Sequence, residues 1–213
     1  MWQIKHIMED KEFNMTNNNG YEMAPLVPEW VKKRVPDNYA DDVLKDLIMF
    51  YVINTPCDGL SSSGIKLTEY GWGEDIWKND RLKNYLFSIA GLERNSSFAV
   101  ASKTDEMKAI CEKTSLKKDF HKNRSKERIA IYKGRYNEFL SICYHIRNAF
   151  AHGRLAMYGY KNGSDIVFAL EDGVKKKGKF EVRSRMILKK STLKKWMEIL
   201  KSGRYPDMKD TKK

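Results

Sequence analysis

Six consecutive residues, Arg147-Asn148-Ala149-Phe150-Ala151-His152, followed by Gly153-Arg154, carry the side chains in this chain best suited to chemistry on a phosphodiester. Ribonucleic acid brings its own nucleophile, the 2′-OH. Its cleavage needs a base for that proton or an acid for the leaving 5′-oxygen, and a cation for the charge of the phosphorane. An imidazole titrates in the range required for proton transfer. A guanidinium matches phosphate oxygens two at a time. That reaction needs no metal, and the sequence shows neither an acidic cluster nor His-rich ligand spacing. No metal and no cofactor are therefore expected.

The residues fall at the end of a strongly helical pattern. At about 100° per residue, Ile142, Ile146, Phe139 and Phe150 form one apolar stripe, and Tyr144, His145, Arg147, Asn148 and His152 fall outside it. On that wheel the polar set faces away from the core, with Ala151 among it leaving room for a ligand. Asn148 and His152 are an i,i+4 pair, so the amide is expected to set the tautomer and tilt of the imidazole. Arg147 and His152 lie about 140° apart; they meet on one substrate within a chain, or Arg147 of one chain works beside His152 of another across a symmetric seam. His145 is a candidate assistant or an interface residue. Tyr144 either bonds a phosphate or packs at the seam.

The 213-residue chain has a formal charge of +12, carried by 40 Lys and Arg against 28 Asp and Glu. From position 172 onward the count is 15 against 5, a net of +10. A basic segment of that kind fits a polyanionic partner or a solvated lysine-rich surface. Arg154 and Lys175, Lys176, Lys177 and Lys179, the latter four at an expected hairpin tip, are the candidate RNA contacts. Cys57, Cys111 and Cys143 are widely spaced with no CxxC, as expected of free thiols in a reducing compartment. No apolar run approaches a membrane span, and the start, Met1-Trp2-Gln3-Ile4-Lys5-His6, does not read as a signal peptide. The expectation is a cytoplasmic protein with no membrane association.

The elements that must position these groups read as follows. Residues 1–36, broken by Asn17-Asn18-Asn19-Gly20 and by Pro25, Pro28 and Pro36, form an N-terminal arm. Helical spacing predicts helices over 41–54, 74–90, 104–115 and 127–151, the last ended by Gly153. Alternating or β-rich runs at 154–160, 165–171 and 180–189, separated by turn residues, predict a small antiparallel sheet. A final helix over 191–200 follows, and the tail from 205 to 213 is expected to fray. The fold class expected is mainly α: a helical bundle over 37–153, with a basic β-rich appendage and C-terminal helix over 154–204.

The Arg147-to-His152 run, with a polar residue directly after the arginine and a place on the last long helix, resembles the Arg-x(4–6)-His motif of HEPN-domain proteins. The resemblance implies a HEPN-like helical bundle and a metal-independent ribonuclease, commonly dimeric, of the kind found among toxins, abortive-infection and other antiviral defence proteins. It implies that Arg147 and His152 are catalytic and that Asn148 is the assisting polar residue. Where HEPN toxins paired with a nucleotidyltransferase antitoxin carry a tyrosine, two residues after the histidine, this chain has Arg154. The expected activity is RNA cleavage by 2′-OH transesterification, in a homodimer, with an antitoxin or defence-system protein as a further partner. The alternatives are a catalytically silent HEPN-like module that binds RNA or protein, and a DNA-binding regulator using the basic segment.

Overall fold

A computed structural model describes residues 20–31, 39–57, 65–77, 80–134 and 136–206. The architecture is mixed α/β rather than a helical bundle with an appendage. One sheet organises it: β1 (Met23–Ala24), β2 (Phe98–Ala101), β3 (Arg128–Tyr132), β4 (Leu155–Tyr160), β5 (Asp165–Lys176) and β6 (Lys179–Lys189). The order is β2-β3-β6-β5-β4, with β1 beside the start of β6 on the edge that β3 occupies further along. Strands β2 and β3 are parallel, and the other pairs are antiparallel. Strands from both sides of position 153 therefore hydrogen-bond in one sheet.

Five helices accompany the sheet among the described residues: α1 (Asp42–Ile48), α2 (Arg81–Ile89), α3 (Met107–Lys113), α4 (Glu138–Ala151) and α5 (Lys190–Ser202). The sheet is covered on both faces, which is why Ile166 to Leu170 reads as an unbroken apolar run. Phe168, Leu170, Met186 and Leu188 pack against α1, α2, α4 and α5. On the other face Val167, Ala169, Val182 and Ile187 meet α3 and the arm segment around Ala24 and Trp30.

The expected helix over 127–151 is where the fold class departs most from the sequence reading. Its first part is strand β3, with Arg128, Ile129, Ala130 and Ile131 all buried. β-branched residues on a doubly covered strand mimic a helical stripe when merged with the aromatic residues that follow. Gly134 at φ +60° turns the chain, and Asn137 starts α4 by accepting a hydrogen bond from the Leu140 amide at 2.9 Å. The expected helix over 41–54 is α1 continued by a π-turn, Met49–Ile53, whose wider winding lets the consecutive Phe50 and Tyr51 both be buried. The expected fraying from 205 does not hold at Tyr205, whose ring meets Trp72 edge-on at 5.3 Å and lies under the Arg81 guanidinium at 4.2 Å. Positions 1–19 and 32–36 of the expected arm and 207–213 of the expected tail lie outside the described residues.

Two glycines shape the frame around α4. At Gly153, φ is +64°; its amide donates to the Phe150 carbonyl and the Arg154 amide to the Ala149 carbonyl, the paired bonds of a Schellman close. At Gly173 the register slips: Asp172 pairs with Ser184 but Gly173 pairs with Val182, leaving Arg183 as an extra residue in a β-bulge. A Cβ on Gly173 would stand 2.1 Å from the Glu181 carbonyl oxygen, whereas one on Gly153 would meet nothing within 4 Å. Gly153→Ala is expected to cost about 1 kcal/mol, from the left-handed backbone alone. Gly173→Ala is expected to cost about 3 kcal/mol, because backbone must move. By calorimetry these are Tm losses of roughly 2–4 °C and 6–12 °C; equal losses would contradict this account of the bulge.

All three cysteines are buried and unpaired. Burial pushes the Cys57 and Cys111 thiols up to about 12, and raises that of Cys143 as well. Native protein at about pH 8 is expected to react with a disulfide reagent such as DTNB only as fast as it unfolds; rapid labelling of any thiol would contradict this packing.

Candidate functional site

Helix α4 lies between the sheet and the helical layer, so it has two buried faces. Phe139, Ile142, Cys143, Ile146 and Ala149 join the core shared with α5 and α2. Ser141, His145 and Asn148 recur at i, i+4, i+7 on the opposite side and are buried as well. This corrects the wheel, which put His145 and Asn148 in solvent: the side of α4 that carries them is roofed by the sheet, and they find partners on or beside the strands. Ser141 Oγ donates to the Lys133 carbonyl oxygen at 2.6 Å.

The remaining partners form one chain of contacts. His145 Nε2 lies 2.8 Å from the Tyr132 carbonyl oxygen, and Nδ1 lies 2.7 Å from Asp172 Oδ2. Each ring nitrogen thus faces an oxygen, so both polar edges of the imidazole are engaged. Asn148 Nδ2 donates to the same Asp172 oxygen at 3.1 Å, and Asn148 Oδ1 accepts from Arg147 Nη1 at 3.0 Å. Reversing the amide would set an acceptor against a carboxylate and a donor against a guanidinium, so the network fixes the orientation of Asn148. The relative exposures of 1% at His145, 4% at Asp172 and 8% at Asn148 mean these bonds form with little competition from water. Arg147 is half-buried, and its Nε is enclosed without a partner among the described residues.

His152 follows the last turn as the C-cap residue of α4 and is exposed. Among the described residues its ring has no hydrogen-bond partner. Its link to Asn148 is main-chain only, its amide donating to the Asn148 carbonyl at 2.9 Å. The expected amide-to-imidazole pairing is thus replaced: Asn148 is committed to Asp172 and Arg147. Arg147 and His152 both border solvent, but Arg147 is tethered and His152 is not. Tyr144 and Arg147, both half-buried, and the exposed Ala151 form an accessible stripe at i, i+3, i+7 on α4.

Of the expected RNA contacts, Arg154 is corrected. It is 8% exposed, pairs with the Glu171 carboxylate, donates to the Leu26 carbonyl at 2.7 Å and lies 3.5 Å from the Phe180 ring centroid. It anchors the arm to the sheet. Lys175, Lys176 and Lys177 are exposed and Lys179 is half-buried at the turn between β5 and β6; Lys176 also pairs with Glu181 at 2.9 Å. That tip is roughly 16 Å along the strand from Asp172, at about 3.3 Å per residue. His121, with no role assigned from sequence, stacks on Trp30 at 5.8 Å.

Sequence reasoning missed Asp172, read as a turn residue beside Gly173. The signal was there: an Asp-Gly step inside a β-rich run also marks a bulge, and bulges re-aim side chains. Among the described residues no group of three or more His, Cys, Asp and Glu side chains could hold a metal ion. Comparison of the chain with protein-family models, with curated proteins and with solved structures found no match.

Asp172→Ala leaves an imidazole and an amide without their shared acceptor in the interior. The expected cost is about 3 kcal/mol, a Tm loss of roughly 6–12 °C. His152→Ala, at an exposed position, is expected to shift Tm by less than about 2 °C. A neutral Asp172→Ala in calorimetry would show that the network does not hold α4 to the sheet.

Proposed function

We propose that this protein is a metal-independent endoribonuclease acting through Arg147 and His152. The observation that carries the reading is the contrast between the two groups. The guanidinium is held by a buried network and keeps an unpartnered Nε, while the imidazole stands in solvent five residues later, unengaged. A fixed cation suits the phosphorane, and a mobile imidazole suits proton transfer to or from ribose and leaving oxygens. The product is then a 2′,3′-cyclic phosphate and a 5′-OH. The HEPN-like motif supports this chemistry, although the fold around it is an α/β sandwich. Asn148 serves here as the residue that ties Arg147 to Asp172.

A homodimer fits the same reading. Ile48, Met49 and Ile53, exposed at 41%, 52% and 36%, lie on the α1 and π-turn segment that packs beside α4. A second copy that set Arg147 of one protomer beside His152 of the other would supply the orientation that His152 lacks in one chain. The lysines of the β5–β6 tip would hold the RNA backbone. No helix among the described residues is long and apolar enough to cross a membrane. The biological role proposed is that of a cytoplasmic toxin or anti-phage effector, restrained by an antitoxin or defence-system protein. The unoriented His152 ring also favours a second reading, a silent module that binds RNA without cutting it.

The deciding experiment incubates labelled single-stranded RNA with the protein in EDTA. Wild type is expected to release cyclic-phosphate ends. His152→Ala and Arg147→Ala are expected to lower the rate by about 100-fold or more with circular dichroism unchanged. RNA that is bound but left intact by wild type would establish the binding module instead; cleavage undiminished in His152→Ala would end the assignment of that residue.

A further inference from the structure

One turn ahead of Arg147 lies a recess of about 210 Å³, lined by Tyr132, Lys133, Tyr136, Tyr144, His145 and Arg183 with the Gly134 backbone. It is smaller than the roughly 300 Å³ at which drug-sized pockets begin, and so admits a single ring system. Its base is rigid, because His145 is bonded through both ring nitrogens, at 2.7 and 2.8 Å. Its walls are aromatic: the Tyr136 and Tyr144 rings lie 5.8 Å apart at 40°, and Tyr144 meets His145 at 5.2 Å. Such faces stack nucleobases irrespective of sequence, at about 1–3 kcal/mol per base.

The polar groups at this recess are mostly donors. Arg183 is the extra residue of the β-bulge, displaced from the ladder by Gly173. Its guanidinium lies 5.6 Å from the Tyr132 ring centroid and its Nε is enclosed without a partner among the described residues. Its nearest carboxylate oxygen, on Glu181, is 3.8 Å from Nη2, beyond hydrogen-bond reach. Lys133 adds an exposed ammonium. Both ring nitrogens of His145 are spent on Tyr132 and Asp172. A rim of cationic donors fits a base edge made of acceptors alone. Guanine presents O6 and N7 side by side, and arginine matches them bidentately. Adenine and cytosine place an amino donor on that edge, and uracil offers one carbonyl.

We propose that this recess is a guanine pocket, holding the base of a nucleotide whose phosphate lies against Arg147. Tyr144 precedes Arg147 by three residues, about 4.5 Å along the helix axis and about 60° around it, so pocket and guanidinium share one accessible stripe. The position relative to the scissile bond rests on the ribonuclease reading; the preference for guanine does not.

The test separates the two. Wild-type protein is titrated calorimetrically with 5′-GMP, 5′-AMP, 5′-CMP and 5′-UMP, and its cuts in RNA are mapped. GMP is expected to bind roughly tenfold or more tighter than the others, with Arg183→Gln removing the preference and Tyr144→Ala weakening all four alike. Arg183→Lys, which keeps the charge but not the fork, is expected to lose the preference too and covers the case of a misfolded glutamine variant. Equal affinities, no binding at millimolar concentration, or a GMP preference that survives both Arg183 variants overturns the pocket. Cuts placed without regard to guanine overturn it while leaving the nuclease standing. Selective GMP binding without any cleavage leaves the pocket standing and removes the nuclease.

Discussion

A single buried carboxylate joins the two halves of this architecture. Asp172 projects from the last regular position of β5 before the bulge and meets, through one oxygen, His145 and Asn148 from successive turns of α4. A carboxyl group so placed is costly unless polar partners meet it. Here the imidazole and the amide meet one of its oxygens, and each is itself bonded onward, to the Tyr132 carbonyl and to the Arg147 guanidinium. The geometry of α4 is set by this cross-link as much as by its apolar side. Helix register, the aim of Arg147 and the closed base of the Tyr144 recess follow from it.

Much of the C-terminal half was legible. Three β-rich runs and an amphipathic segment gave β4, β6 and α5 to within a few residues, because a hairpin and its neighbours are specified by local pattern, while β5 runs on through the expected end at 171 to Lys176. Both residues of the Lys177-Gly178 turn have positive φ, as a tight type I′ turn requires. The fold class was not legible, and the cause is specific. Arg128–Tyr132 has only five residues, buried on both faces, and carries no alternation to separate it from the helix that follows. Phe98–Ala101 has four. Short strands whose identity depends on distant partners, β2 on β3 and β3 on β6, cannot be read from their own composition.

The site was half legible. Residue types and spacing singled out Arg147, Asn148, His145 and His152, and the structure joins the first three in one network. Their orientations were misjudged because a helical wheel knows one buried side, whereas α4 has two. Arg154 was taken for an RNA contact on charge alone, yet it pairs with Glu171 within a buried cluster that also holds Arg185 and Glu22. A cation close to a motif in sequence is no guide to whether its charge is already neutralised. Asp172 needed the bulge, and an Asp-Gly step marks a turn or a bulge alike until β5 and β6 are aligned.

The position of β6 in the sheet bears on when the protein becomes whole. It is the last of the described strands in chain order, yet it is the one that pairs with β1, β3 and β5. During synthesis, which proceeds from the N-terminus, the parallel β2–β3 pair waits without its central neighbour, and α4 emerges before the strand that will carry its anchoring carboxylate. The sheet cannot close until β6 has emerged, after α4 and each of the other described strands. A product that stops before Lys179 therefore lacks the strand on which β1, β3 and β5 all depend, and leaves unfinished the sheet that aims Asp172 at α4.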